Sequence, residues 1–168
     1  MKTLIKNGTL VTAESSFQAD LLIEGEHIIQ IAPSIEAADA EVVDASGQLV
    51  LPGGIDAHVH INLPMGETVS SDDYYTGSKA AAFGGTTTII DFVSQDAGSL
   101  ADNIACKRAE AEGKAAIDYS LHMNITRFDE SVAEELPDLP SLGIHSIKVF
   151  TAYNNRLRLD DGGIFKVM

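Results

Sequence analysis

Apolar and polar positions alternate in short runs over the first fifty residues, the period of β-strands separated by tight turns. Residues 2–6 and 9–12 flank Asn7-Gly8, which predicts a hairpin. Residues 21–24 and 27–31 flank Gly25-Glu26 and predict a second. Residues 41–44 and 48–50 flank the turn Ala45-Ser46-Gly47. Six short strands with regular turns point to a small β-sandwich or meander.

Beyond residue 50 the pattern changes to strand then helix, repeatedly. Ser70-Ser71-Asp72-Asp73 has the composition of a helix cap with acidic residues in the first turn, and Gly84-Gly85 is the matching stop. The β-branched run 86–92 reads as a buried strand. Ser99 predicts the cap of a helix through Glu112, closed by Gly113. A strand over 116–125, a short helix over 130–136 and a strand over 144–150 follow. This alternation implies a parallel sheet with right-handed crossovers, either open and doubly wound or half of a (β/α)8 barrel. Phe165-Lys166-Val167-Met168 reads as the opening of an amphipathic helix.

Composition narrows the classes. The chain has 168 residues, 45% of them hydrophobic, enough for a real core. A formal net charge of −14 argues against nucleic acid or an anionic membrane as partner. No apolar run approaches a membrane span and no secretory leader is visible. A single cysteine, Cys106, excludes an internal disulfide framework and fits a reducing cytoplasm. No GxGxxG or P-loop follows a strand, which counts against nucleotide binding.

Two features carry chemistry. The stretch 49–60 reads as one strand ending in His58-Val59-His60. At a period of two both imidazoles face the same way, and Asp56 shares that face. Paired imidazoles above a carboxylate are how a strand offers ligands to zinc or a similar metal. The plain alternative is two histidines closing an ordinary strand. Lys148 is the second feature. It lies between Ile147 and Val149 in a strand that should be buried, facing the same side as Ser146. A desolvated amine loses charge, becomes nucleophilic and can capture CO2 as a carbamate. The alternative is a lysine snorkelling from the strand end.

The stretch 53–60, the run 63–77, the segment Ala80-Ala81-Ala82-Phe83-Gly84-Gly85-Thr86-Thr87 and the segment 147–153 together resemble the dihydropyrimidinase and hydantoinase family of the amidohydrolase superfamily. The first stretch is shared with dihydroorotases, allantoinases and ureases; residues 65–87 and 148–153 narrow the likeness. The resemblance implies an α/β fold with residues 1–50 as a small, incomplete β-sandwich domain. Residues 51–168 would then be the first half of a metal-dependent hydrolase (β/α)8 barrel. It also implies two divalent metal ions, typically Zn2+, with His58 and His60 on the more buried one and Lys148 carboxylated to bridge both. Tyr153 would bind the substrate and the developing oxyanion. Leu63, Phe150 and Leu157 would belong to hydrophobic gate loops, and Asp56 would sit behind the ligands. The substrate would be a small cyclic amide, a dihydropyrimidine or a 5-substituted hydantoin, opened by metal-activated hydroxide. A homotetramer is implied as well.

The family is more than twice this length. Its remaining metal ligands, two later histidines and a late aspartate that also serves as general base, have no match here, so they are expected beyond Met168. His122 and His145 do not match those positions. His122 is expected as a packed or supporting histidine of the third strand, and His145 should point outward. The chain is therefore expected to be a fragment, inactive alone. Other readings are a dihydroorotase or allantoinase type of amidohydrolase, against which Leu63-Pro64-Met65-Gly66-Glu67 argues, and a non-catalytic relative acting as an assembly scaffold.

Overall fold

A computed structural model describes all residues, Met1–Met168. They divide into two compact units, Met1–Pro52 and Gly53–Met168.

The first unit is one five-stranded sheet. It contains β1 (Lys2–Val11), β2 (Ser16–Glu24), β3 (His27–Ala32), β4 (Ala40–Asp44) and β5 (Leu49–Val50). The hairpin expected at Asn7-Gly8 is instead a bulge inside one long strand. Antiparallel pairing with β2 shifts register between Ile5 and Gly8, then continues to Val11. Asn7 takes a φ of 62°, and its freed N–H is caught by the buried Asp20 carboxylate at 2.9 Å. Gly8 is required there, since a Cβ would lie 2.6 Å from Val50 Cγ2. The hairpin at Gly25-Glu26 does form, joining β2 to β3. The turn at Ala45-Ser46-Gly47 joins strands that do not pair with each other. Both β4 and β5 run parallel to β1, one on each side of the bulge. The six predicted strands are thus five, in a single sheet rather than a sandwich. Leu4, Leu22 and Ile35 form one small core, and Leu10, Ala19 and Leu21 another.

The second unit begins with β6 (Gly54–Asp56), the ribbon β7 (Pro64–Met65) and β8 (Thr68–Val69), α1 (Tyr74–Phe83) and β9 (Thr86–Val93). After these come α2 (Leu100–Ala111), β10 (Asp118–Ile125), α3 (Glu130–Glu135), a 3-10 segment (Leu136–Leu142), β11 (Ile147–Val149) and α4 (Asp161–Val167). The four long-range strands form a parallel sheet in the order β11-β10-β9-β6, a half-barrel. Capping residues explain the helix starts. Asp73 and Ser99 each accept the third helical N–H and are bonded in return, and Asp129 and Asp160 cap α3 and α4. Acidic residues do not enter the first turn of α1, because Asp73 is itself the cap. The last strand is shorter than expected. Ile144 donates its N–H to Leu139 O, closing the 3-10 segment, so the ladder starts only at Ile147.

Strand alternation divides the sheet. Val93, Leu121, Met123 and Ile125 point toward the helices, where they pack with Leu100, Ile104, Val132 and Leu139. The alternate residues, Phe92, His122, Asn124 and Lys148, occupy the other face. Extended side chains on that face are the raw material of a site.

Candidate metal and substrate site

His58 and His60 lie just past β6 rather than within it, because the ladder with β9 ends at Asp56. Extended backbone carries on, held by the hydrogen bond of Val59 N–H to Ile90 O at 3.2 Å. Both imidazoles therefore still face one way, and both rest on Phe92. Their ring centroids lie 4.6 and 4.9 Å from the phenyl ring and 5.2 Å from each other. Asp56 accepts the His58 backbone N–H at 3.1 Å, so it braces the segment through the main chain.

Lys148 reaches the same ring from β11. Its ammonium nitrogen lies 4.0 Å from the Phe92 centroid, 4.9 Å from that of Phe150 and 3.4 Å from His58 Nε2. Desolvation pulls its pKa below the ordinary lysine value. Desolvation likewise lowers His60, helped by the charges of Lys148 and His58. The expectation that Lys148 faces away from the helices holds, since Val149 packs on the helix-side core. Ile147 is partly exposed instead of flush against that core.

His122 joins this cluster. Its ring lies 4.9 Å from Phe92. Nδ1 meets the Ser146 hydroxyl and Nε2 meets Ala57 O at 3.0 Å, which ties β10 and β11 to the segment carrying His58. His145 is exposed and takes no part.

The residues expected in gate loops, and Tyr153, are more scattered. Leu63 lines a cavity of about 300 Å³ with Asp91, Phe92 and Lys107. Phe150 and Tyr153 meet edge to face, with centroids 6.0 Å apart. Tyr153 sits at φ 65°, and its carbonyl accepts the N–H groups of Arg156, Leu157 and Arg158. That turn presents the phenol outward, 62% exposed. Leu157 is partly buried.

Two residues escaped the sequence reading. Phe92 is the common platform for His58, His60, His122 and Lys148. Asp91, on its other side, is a buried carboxylate bonded to Tyr74 OH at 2.8 Å and paired with Lys107 at 3.2 Å. The signal for Asp91 was present: a charge inside the apolar run 86–93, the same anomaly that drew attention to Lys148.

No three His, Cys, Asp or Glu side chains gather to hold a metal ion. Both ring nitrogens of His122 are engaged, which leaves two imidazoles and an amine of lowered pKa. Such nitrogen donors suit zinc in kind, and fall short of a full shell in number.

An amidohydrolase family model matches residues 49–141, which covers this cluster and the sheet beneath it. The chain belongs to the amidohydrolase family. It is 46% identical to a D-hydantoinase of Geobacillus stearothermophilus over 170 residues, covering 100% of the chain and 36% of that relative. A dihydropyrimidinase of Dictyostelium discoideum is 42% identical, covering 98% of the chain and 33% of that relative. The crystal structure of a dihydropyrimidinase from Brevibacillus agri superposes with a TM-score of 0.94 at 50% identity, over 99% of this chain and 36% of that one. This amidohydrolase chain thus spans about a third of the length of the relatives it matches.

Proposed function

We propose that the chain supplies one side of the active site of a metal-dependent hydrolase that opens cyclic amides, either dihydropyrimidines or 5-substituted hydantoins. The observation that carries this reading is the convergence of His58, His60 and Lys148 on Phe92. Likeness to hydantoinases and dihydropyrimidinases along the whole chain supports the substrate class.

In this reading His58 and His60 donate imidazole nitrogens to one of two divalent ions. Lys148, whose desolvation favours the neutral amine, could add to CO2 and release a proton, and the resulting carbamate would supply oxygen ligands to the metal site. Bound there, two zinc ions would supply a polarised ring carbonyl and a water of pKa near neutrality. Phe92 holds the donors apart and keeps water from their undersides. His122 fixes the backbone before His58 through Ala57 O. Tyr153 offers a phenolic O–H to the carbonyl oxygen as charge develops on it. Leu63, Phe150 and Leu157 provide apolar wall for the ring substituent. Asp56 braces the His58 segment. The general base and further ligands come from residues outside this chain, and the working protein is a cytoplasmic homotetramer. No helix here is long and apolar enough to cross a membrane.

The test uses full-length protein: metal content, the mass of the peptide carrying Lys148, and ring opening of 5,6-dihydrouracil and hydantoins. Bound zinc, one added CO2 on Lys148 and a ring-opened product are expected. Absence of metal and of the CO2 adduct would sink the reading.

A further inference from the structure

The Asp91 carboxylate and the Lys107 ammonium take hold of one residue from both ends. Asp91 Oδ2 accepts the N–H of Ile61 at 3.3 Å, and Lys107 Nζ donates to Ile61 O at 2.7 Å. Ile61 directly follows His60. The two charges pair at 3.2 Å and are almost wholly enclosed, with side chains 2% and 12% exposed. Tyr74 OH closes the group from α1 with a 2.8 Å bond to the same carboxylate oxygen, and its ring lies 5.2 Å from the ammonium. Glu110 extends the group by one step. It accepts from Lys107 at 3.1 Å and from the Asn62 side chain at 3.4 Å, at a residue whose φ is 51°.

Four side chains from three elements thus converge on a two-residue loop: Asp91 from β9, Tyr74 from α1, and Lys107 and Glu110 from α2. A buried ion pair is a weak route to stability, because desolvation offsets most of the attraction. Its geometry is what it contributes. Both backbone polar groups of Ile61 are fixed, so the chain leaves His60 along one path. The residue next to Asp91 in sequence is Phe92, on the opposite face of β9, and it is the ring on which His60 stacks. One dipeptide therefore sets both the seat of the imidazole and the anchor of the backbone behind it.

We propose that Asp91 and Lys107 are positioning residues: a buried latch on the helix side of the sheet that fixes the His60 imidazole for metal binding. The metal-binding half of this inference rests on the reading above; the fixing of His60 does not.

Removing one charge alone would strand the other, so the informative variant replaces both. Asp91→Asn/Lys107→Met keeps an acceptor for Ile61 N–H and Tyr74 OH, removes the donor to Ile61 O, and conserves volume. Metal-stripped full-length protein is labelled with diethyl pyrocarbonate, and each histidine is followed by peptide mass spectrometry. Labelling at His60 rises about fivefold or more in the double variant, through local opening. His27 is unaffected. Lys107→Arg retains charge and donors and restores most of the protection, and exposed Arg127→Met changes nothing. Zinc affinity, measured against a chelating dye, falls about ten- to a hundredfold in the double variant, the usual cost of losing a partner behind a ligand. Unchanged labelling at His60 in a folded double variant overturns the latch. Faster labelling with undiminished zinc affinity overturns its positioning role. Faster labelling in a protein that never takes up zinc leaves the latch standing and removes the hydrolase reading instead.

Discussion

Lys148 has aromatic rings and an imidazole for neighbours where a buried ammonium would ordinarily find a carboxylate. Arginine in its place keeps the charge and cannot form a carbamate. If the proposed hydrolase reading is right, Lys148→Arg in full-length protein slows ring opening of dihydrouracil by at least about a hundredfold, beyond the loss of an outer partner, and the peptide carrying it shows no CO2 adduct in its mass. Asp20 carries a pH signature in the first unit. Hydrogen bonds from the N–H groups of Asn7 and Ile35 hold its carboxyl below the ordinary 3.8. A depressed carboxyl stabilises the folded state above that ordinary value, and the contribution fades as pH falls through the folded one. The urea midpoint of the wild-type chain should therefore drop more steeply on acidification below about 3.8 than that of Asp20→Asn.

At the scale of elements, β6 and β9 approach closely where Gly53 meets Thr87. A Cβ on Gly53 would stand 2.1 Å from Thr87 Oγ1 and 2.7 Å from Thr87 Cβ. Gly53→Ala should cost about 1–3 kcal/mol by overpacking, read as a lowered melting temperature, and Thr87→Gly in the same chain should recover most of it. Tyr74→Phe removes the hydroxyl bonded to Asp91 and should cost about 1–2 kcal/mol in the same measurement. Much of this level was legible in the sequence. The cap at Ser99, the β-branched run before Phe92 and the lysine in β11 are local signals that the elements follow closely, while the cap expected within 70–73 falls on its last residue, Asp73. Asn7-Gly8 misled because its left-handed residue suits a bulge as well as a turn. Long-range partners decided between the two: β2 along the whole of β1, β4 and β5 on its other side, and Asp20 for the freed N–H. His58 and His60 were legible as a pair facing one way. Phe92 beneath them was not, since strand pairing across thirty-odd residues is what brings it there.

At the scale of the whole molecule, β6 and β11 are the outer strands of the half-barrel, and the inner face carries Phe92, His122, Asn124 and Lys148 together. Asn124 Oδ1 is buried with no hydrogen-bond partner. Two imidazoles and an amine make an incomplete shell, so the 168-residue chain by itself should hold zinc at least about a hundredfold more weakly than the full-length protein. Equilibrium dialysis of both against a common chelator checks this. Which residues complete the shell is not written in these strands, because a barrel site draws its ligands from the ends of many strands.

Asp91 and Phe92 also bear on how β9 finds its place. Neighbours on a strand face opposite ways, so a slip of one residue exchanges them. The carboxylate would then land on the imidazole side and the phenyl ring against the Lys107 ammonium. Most apolar strands tolerate trial misalignments of similar energy. This one carries a two-sided check: a wrong register strands a charge on one face and leaves a ring unseated on the other. Misaligned intermediates should be short-lived, and the sheet should commit to its imidazole-facing side as soon as β9 docks.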